Sequence, residues 1–135
     1  MATRIFVNLP VKDLNRSVSF FSKLGFTFNS QFTDENATCM IIAEDIFAML
    51  LVDKYFQTFT KKQVVDAHKG TEVLIALSTD SRQQVDDLVD KALAAGGSKS
   101  MEPQDHGFMY SRSFVDPDGH IWEVLYMDPS AINLE

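Results

Sequence analysis

Cysteine is nearly missing from this 135-residue chain. The single thiol, Cys39, rules out an intrachain disulfide, and its place in the apolar run 37–43 favours a small buried thiol in a reducing cytoplasm. Long hydrophobic runs are also missing. The run 47–52, extended by Ile46, falls far short of the roughly 20 apolar residues that cross a bilayer, and no basic segment followed by an apolar one opens the chain, so neither leader nor membrane anchor is expected. Positive charge is scarce: twelve Lys and Arg stand against nineteen Asp and Glu, for a formal net charge of -7. Such a surface repels a phosphate backbone, which excludes nucleic acid as an expected partner. What remains is an ordinary globular composition, 45% hydrophobic and 23% charged, in one domain large enough to bury roughly two-thirds of its unfolded surface.

Residues 4–9, rich in Ile, Phe, Val and Leu and followed by Pro10, read as a strand that the proline closes. Asp13 then offers an N-cap, Leu14, Val18, Phe21 and Leu24 recur at helical spacing, and Gly25 supplies a stop. Three antiparallel strands are expected at 26–32, 37–43 and 47–52, separated by polar turns. A connector with a short helix, 54–70, carries Tyr55, Phe56 and Phe59 among Lys, Gln and Thr. The order then returns. Residues 72–77 read as a strand, Ser81 and Gln84 form a capping box before a helix stopped by Gly96-Gly97, and 98–101, 108–115 and 120–126 read as strands. Asp116-Pro117-Asp118-Gly119 is the turn between the last two.

The two halves align as a repeat, with 6–9 over 74–77 and 47–52 over 120–125. Each half would bury one sheet face under its helix, and the other faces would form a trough suited to a small ligand. The expectation is therefore an α+β fold: a module at about 3–53, a connector at 54–70 and a module at about 71–127, forming a curved mixed sheet with a central trough.

Leu9-Pro10-Val11-Lys12-Asp13-Leu14, a helix with Phe20-Phe21, and Leu24-Gly25-Phe26 together resemble the opening of vicinal oxygen chelate proteins. This superfamily includes glyoxalase I, bleomycin-resistance proteins and extradiol dioxygenases. Residues 114–124, Phe-Val-Asp-Pro-Asp-Gly-His-Ile-Trp-Glu-Val, look like its D-P-D-G-x-x-x-E ending, and 75–78 resemble the start of its second module. The resemblance spans nearly the whole chain and implies paired βαβββ modules and a homodimer. In metal-dependent members four ligand positions fall on the first and last strands of each module. Aligned here, they are Phe6, Leu50, Leu74 and Glu123, of which only Glu123 can ligate a hard cation. No metal or other cofactor is therefore expected, a divalent ion at a displaced site being the alternative.

Strand alternation makes Glu123 the polar exception on a trough-facing row with Ile121 and Leu125, either as a general acid or base or as part of a structural network with a base such as Arg112. Asn8 shares a face with Phe6. Phe108, Tyr110 and Arg112 share another; if it faces the trough, Tyr110 and Arg112 would bind a ligand carboxylate or carbonyl, with His106 transferring a proton at the rim. His68 and His120 carry less expectation of a ligand role, and the charged faces of the two helices, including Asp86, Asp87, Asp90 and Lys91, read as solvated surface. The connector aromatics are expected to close the trough or pack on a second subunit. The function expected first is binding of a small organic molecule in an apolar trough without the usual metal. A metal-dependent lyase, isomerase or dioxygenase is the alternative, and a sequestering protein without catalysis is a third.

Overall fold

Each half of the repeat builds its own sheet in the computed structural model, which describes residues 3–131. Two compact units meet in sequence between Asp66 and Ala67. In the first, β1 (Ile5–Val11) leads to α1 (Leu14–Lys23), then β2 (Thr27–Asn29), β3 (Ala37–Ala43) and β4 (Ile46–Val52). The sheet order is β1-β4-β3-β2, with β1 parallel to β4 and the other pairs antiparallel. As the spacing predicts, the Asp13 side chain accepts from the Arg16 N–H at the start of α1, and Gly25 takes up a positive φ just after it. Ser17, Phe20, Phe21 and Leu24 are the buried residues of this turn and helix.

Two boundaries differ from expectation. Pro10 does not close β1, which continues through it to Val11; β1 is an edge strand, where a missing N–H breaks no second ladder. The strand expected at 26–32 ends at Asn29, whose side chain accepts from the Gln31 N–H and turns the chain into a short 3-10 segment. The connector begins with α2 (Asp53–Phe56) and another 3-10 turn, held by its own bonds: the Thr58 hydroxyl donates to the Tyr55 carbonyl, and the Gln57 amide to the carbonyls of Thr60 and Lys62.

In the second unit β5 (Leu74–Ser78) precedes α3 (Arg82–Ala94), whose N-terminus carries the expected cap: Ser81 Oγ accepts from the Gln84 N–H, while the Gln84 side chain accepts from the Asp80 N–H. Val85, Val89 and Ala92 form its buried stripe. The next strand is interrupted, so that β6 (Ser98–Lys99) and β7 (Gln104–Asp105) both pair with β8 (Met109–Val115). Across the gap the Met101 N–H donates to the buried Ser113 Oγ. β9 (Ile121–Met127) lies between β8 and β5, parallel to β5. Among the described residues no helix is long and apolar enough to cross a membrane.

Candidate functional site

The register decides which side chains share a face, because laterally paired residues point the same way and a slip of one residue reverses them. In the first unit Phe6 pairs with Phe47, Asn8 with Met49 and Leu9 with Leu50. Leu9, Val11, Met40, Ala48 and Leu50, all buried, occupy one face, whose end at Ile5 and Ile46 is exposed. Phe6, Asn8, Phe47 and Met49 occupy the other, where the Phe6 and Phe47 rings stack at 4.9 Å and the Asn8 amide donates to the Phe6 carbonyl. Leu50 is thus a core residue and does not share the face of Phe6. In the second unit Leu74 pairs with Ile121 and Ala76 with Glu123, so the counterpart of Glu123 is Met49. The alignment of 47–52 over 120–125 is one residue out, and that slip carries Leu50 to the wrong side.

Glu123 stands on the open face of the second sheet, flanked by Ala76 on β5 and Ser113 on β8, with Leu74, Ile121 and Leu125 nearby. Its carboxylate is half-buried and makes no hydrogen bond or ion pair among the described residues. Arg112 does not neutralise it. Tyr110, Arg112 and Phe114 pair with Tyr126, Val124 and Trp122, which places them on the opposite face, against α3.

There the residues form a dense network. The Tyr110 hydroxyl donates to Asp86 Oδ1 at 2.6 Å, and Arg112 Nη1 donates to Asp86 at 3.0 Å and to Asp90 at 2.9 Å. Donation to Asp86 raises the Tyr110 pKa, while the same bond, followed by that of Arg112, lowers that of Asp86. Asp86, expected as solvated surface, is therefore a half-buried partner of the sheet, while Asp90 reaches Arg112 and remains exposed. One turn earlier on this helix stripe, Arg82 lies 5.2 Å from the centre of the Tyr110 ring and forks onto both oxygens of Asp105, at 2.9 and 3.0 Å, and onto the Gly107 carbonyl. Together with the Gly107 N–H it holds the Asp105 carboxyl down at about 2.

That fork fixes the turn 105–108. His106 is exposed, its backbone N–H donates to the Met109 carbonyl, and its ring lies 6.4 Å from the Phe108 ring. Phe108 belongs to this turn, ahead of the strand, and not to the row of Tyr110 and Arg112. The turn joins β8 beside the Met109–Met127 pair, four residues along β9 from Glu123, or about 13 Å of strand. His106 and Glu123 are not brought together.

The D-P-D-G turn has a structural chemistry that residue types alone do not disclose. Asp116 is buried, and its carboxylate accepts from the backbone N–H groups of Asp118 and His120 and from the Trp122 indole at 3.0 Å. Burial pushes its pKa up, against the opposing pull of His120 and these donors. Gly119 has φ +92°, and a Cβ there would stand 2.6 Å from the His68 backbone nitrogen. His120 thus donates its backbone N–H to this turn, and the His68 backbone packs against it.

A divalent ion does not fit the residues present. Corrected for register, the four positions implied by the family resemblance hold Phe6, Met49, Leu74 and Glu123: one hard donor, one thioether and two hydrocarbons. Among the described residues no three of His, Cys, Asp and Glu are grouped as a metal site would require.

Two units of the same strand-helix-strands order, each closing a parallel pair between its first and last strands, define the class of protein to which the chain is comparable. A family model for the Glyoxalase/Bleomycin resistance protein/Dioxygenase superfamily matches residues 5–124, and the chain belongs to that superfamily. Among solved structures, the hypothetical protein SA1046 from S. aureus is 30% identical over 93% of this chain and 94% of that one, with a TM-score of 0.79. A glyoxalase-related enzyme from Fulvimarina pelagi is 19% identical over 93% and 88%, with a TM-score of 0.79. The genomically encoded fosfomycin resistance protein FosX from Listeria monocytogenes is 21% identical over 100% and 94%, with a TM-score of 0.68. The last two show a shared fold only. No curated protein matches the chain.

Proposed function

We propose that this protein binds a small organic molecule on the open sheet face that carries Glu123, and that it does so without a divalent metal. The observation that carries this reading is the half-buried residue Glu123, its carboxylate unpartnered among the described residues, set beside Ala76 and Ser113 with Leu74, Ile121 and Leu125 nearby. A carboxylate left unpaired in such surroundings costs stability, and a ligand that donates to it removes the cost. The apolar neighbours supply contact area, and Glu123 supplies orientation. If the bound molecule is transformed, Glu123 is the group placed to take or return its proton, while Tyr110 and Arg112 act as structural support from behind the sheet.

A thermal-shift screen of metal salts and small metabolites tests this, because a ligand that binds only the folded state stabilises it by about 2.7 kcal/mol at a hundred times its Kd. An organic ligand is expected to raise the Tm, and Glu123→Ala to abolish that rise. Stoichiometric metal retained through chelator-free purification, with activity lost in Glu123→Ala, would overturn the metal-free reading.

The same reading takes the protein as a cytoplasmic homodimer, supported by the exposed Tyr55–Phe59 pair, whose rings meet edge to face at 5.2 Å. Sedimentation at micromolar concentration checks the assembly; a monomer would leave these rings without the cover proposed for them.

A further inference from the structure

Every side chain on the open face of the second sheet can be assigned from the register. β5 contributes Leu74, Ala76 and Ser78; β9 contributes Ile121, Glu123, Leu125 and Met127; β8 contributes Met109, Ser111, Ser113 and Val115. The short strands β6 and β7 add Ser98 and Gln104. Among all of these Glu123 is the only charged residue. Three bases of this unit are engaged elsewhere: Arg112 with Asp86 and Asp90, Arg82 with Asp105, and Lys99 with Glu102.

From this arrangement we infer that the molecule bound on this face is an organic cation, an ammonium or amidinium group on an apolar body, with its charge on Glu123. The inference rests on the small-molecule reading above and narrows it. A neutral donor would satisfy one lone pair of the carboxylate but leave its charge uncompensated on a face with no other charged side chain. A cation supplies both a hydrogen bond and the missing charge, and only the second distinguishes it from a neutral donor. An anion meets only repulsion here, since the face offers no guanidinium or ammonium. The net charge of -7 acts in the same direction, raising the encounter rate of cations with the whole surface. The face offers a bare inorganic ion no second carboxylate, and its aliphatic side chains favour a cation that brings its own apolar surface.

The test uses matched probes on the full chain: phenethylammonium and cyclohexylmethylammonium, each beside the alcohol and the carboxylate of the same skeleton. Binding is followed by amide chemical shifts, with Ala76, Ser113 and Glu123 as reporters. The expected order is ammonium, then alcohol, then carboxylate, with the ammonium at least tenfold tighter than the alcohol. Glu123→Gln, which keeps size and hydrogen-bonding capacity, should remove that preference and bring ammonium and alcohol to within twofold of each other. Alcohols that bind this face as tightly as ammonium ions, or a preference that survives in Glu123→Gln, would overturn the cation assignment and leave the small-molecule reading standing. If no probe of any charge shifts these amides at millimolar concentration, both readings fail together.

Discussion

Equivalent strands of the two units carry opposite chemistry on their open faces. In the first, Phe6, Asn8, Phe47 and Met49 form an uncharged surface dominated by a stacked aromatic pair. In the second, the position matching Met49 is Glu123, on a face otherwise built from aliphatic and small polar side chains. The turns into the last strands differ as well. Glu44-Asp45 is a surface turn whose Asp45 meets the exposed Arg4 at 3.2 Å, whereas Asp116 is buried under three N–H donors. One scaffold thus carries a largely hydrocarbon half and a half in which a few polar groups are built in at some cost. Such cost concentrates at functional sites.

The largest effect should come from the buried turn. Asp116→Ala strands the Trp122 indole N–H and two backbone N–H groups, and should cost about 3 kcal/mol in urea unfolding. Asp45→Ala, the matching change in the first unit, should cost less than about 0.5 kcal/mol. Equal losses would erase the contrast between the turns. Gly119→Ala comes next, because an alanine there meets both a left-handed φ and the His68 backbone; about 2 kcal/mol is expected, and a neutral result would show that the 67–68 segment gives way.

Glu123→Met, which makes the second face resemble the first, should raise stability by about 0.5–1 kcal/mol while removing ligand binding. A loss of stability instead would mean that Glu123 serves the fold. The smallest effect is electrostatic. Asp105, held at about 2 against an ordinary 3.8, supports its turn fully above the carboxylate range and loses that support as the pH falls through about 2. In Arg82→Ala its midpoint, followed by carboxyl NMR, should rise towards 3.8.

Much of this architecture is written locally. Asp13, Gly25, Ser81 and Gln84 announce both helices through capping chemistry, which needs no tertiary context. Pro10 misleads because a proline's effect on a strand depends on whether the strand is an edge, a property of the whole sheet. The site was less legible for a related reason. Met49 and Leu50 are both apolar, so nothing in their chemistry marks which one faces outward, and a one-residue error in aligning the halves passes unnoticed. Alternation likewise groups Tyr110 with Arg112 correctly but is symmetric between the two faces. The recurrence of Arg82, Asp86 and Asp90 along one helical stripe is the signal that would have placed that row under α3.

The close approach of His68 to Gly119 also bears on where this polypeptide can be divided. The backbone of Ala67 and His68 fills space that a side chain at Gly119 would need, so these residues form part of the second unit's wall even though its first strand begins only at Leu74. A gene fragment started at the strand would leave that glycine turn uncovered. One started ahead of Ala67 would carry its own cover with it, and the segment just before it is the place where a nick or an inserted tag disturbs neither sheet.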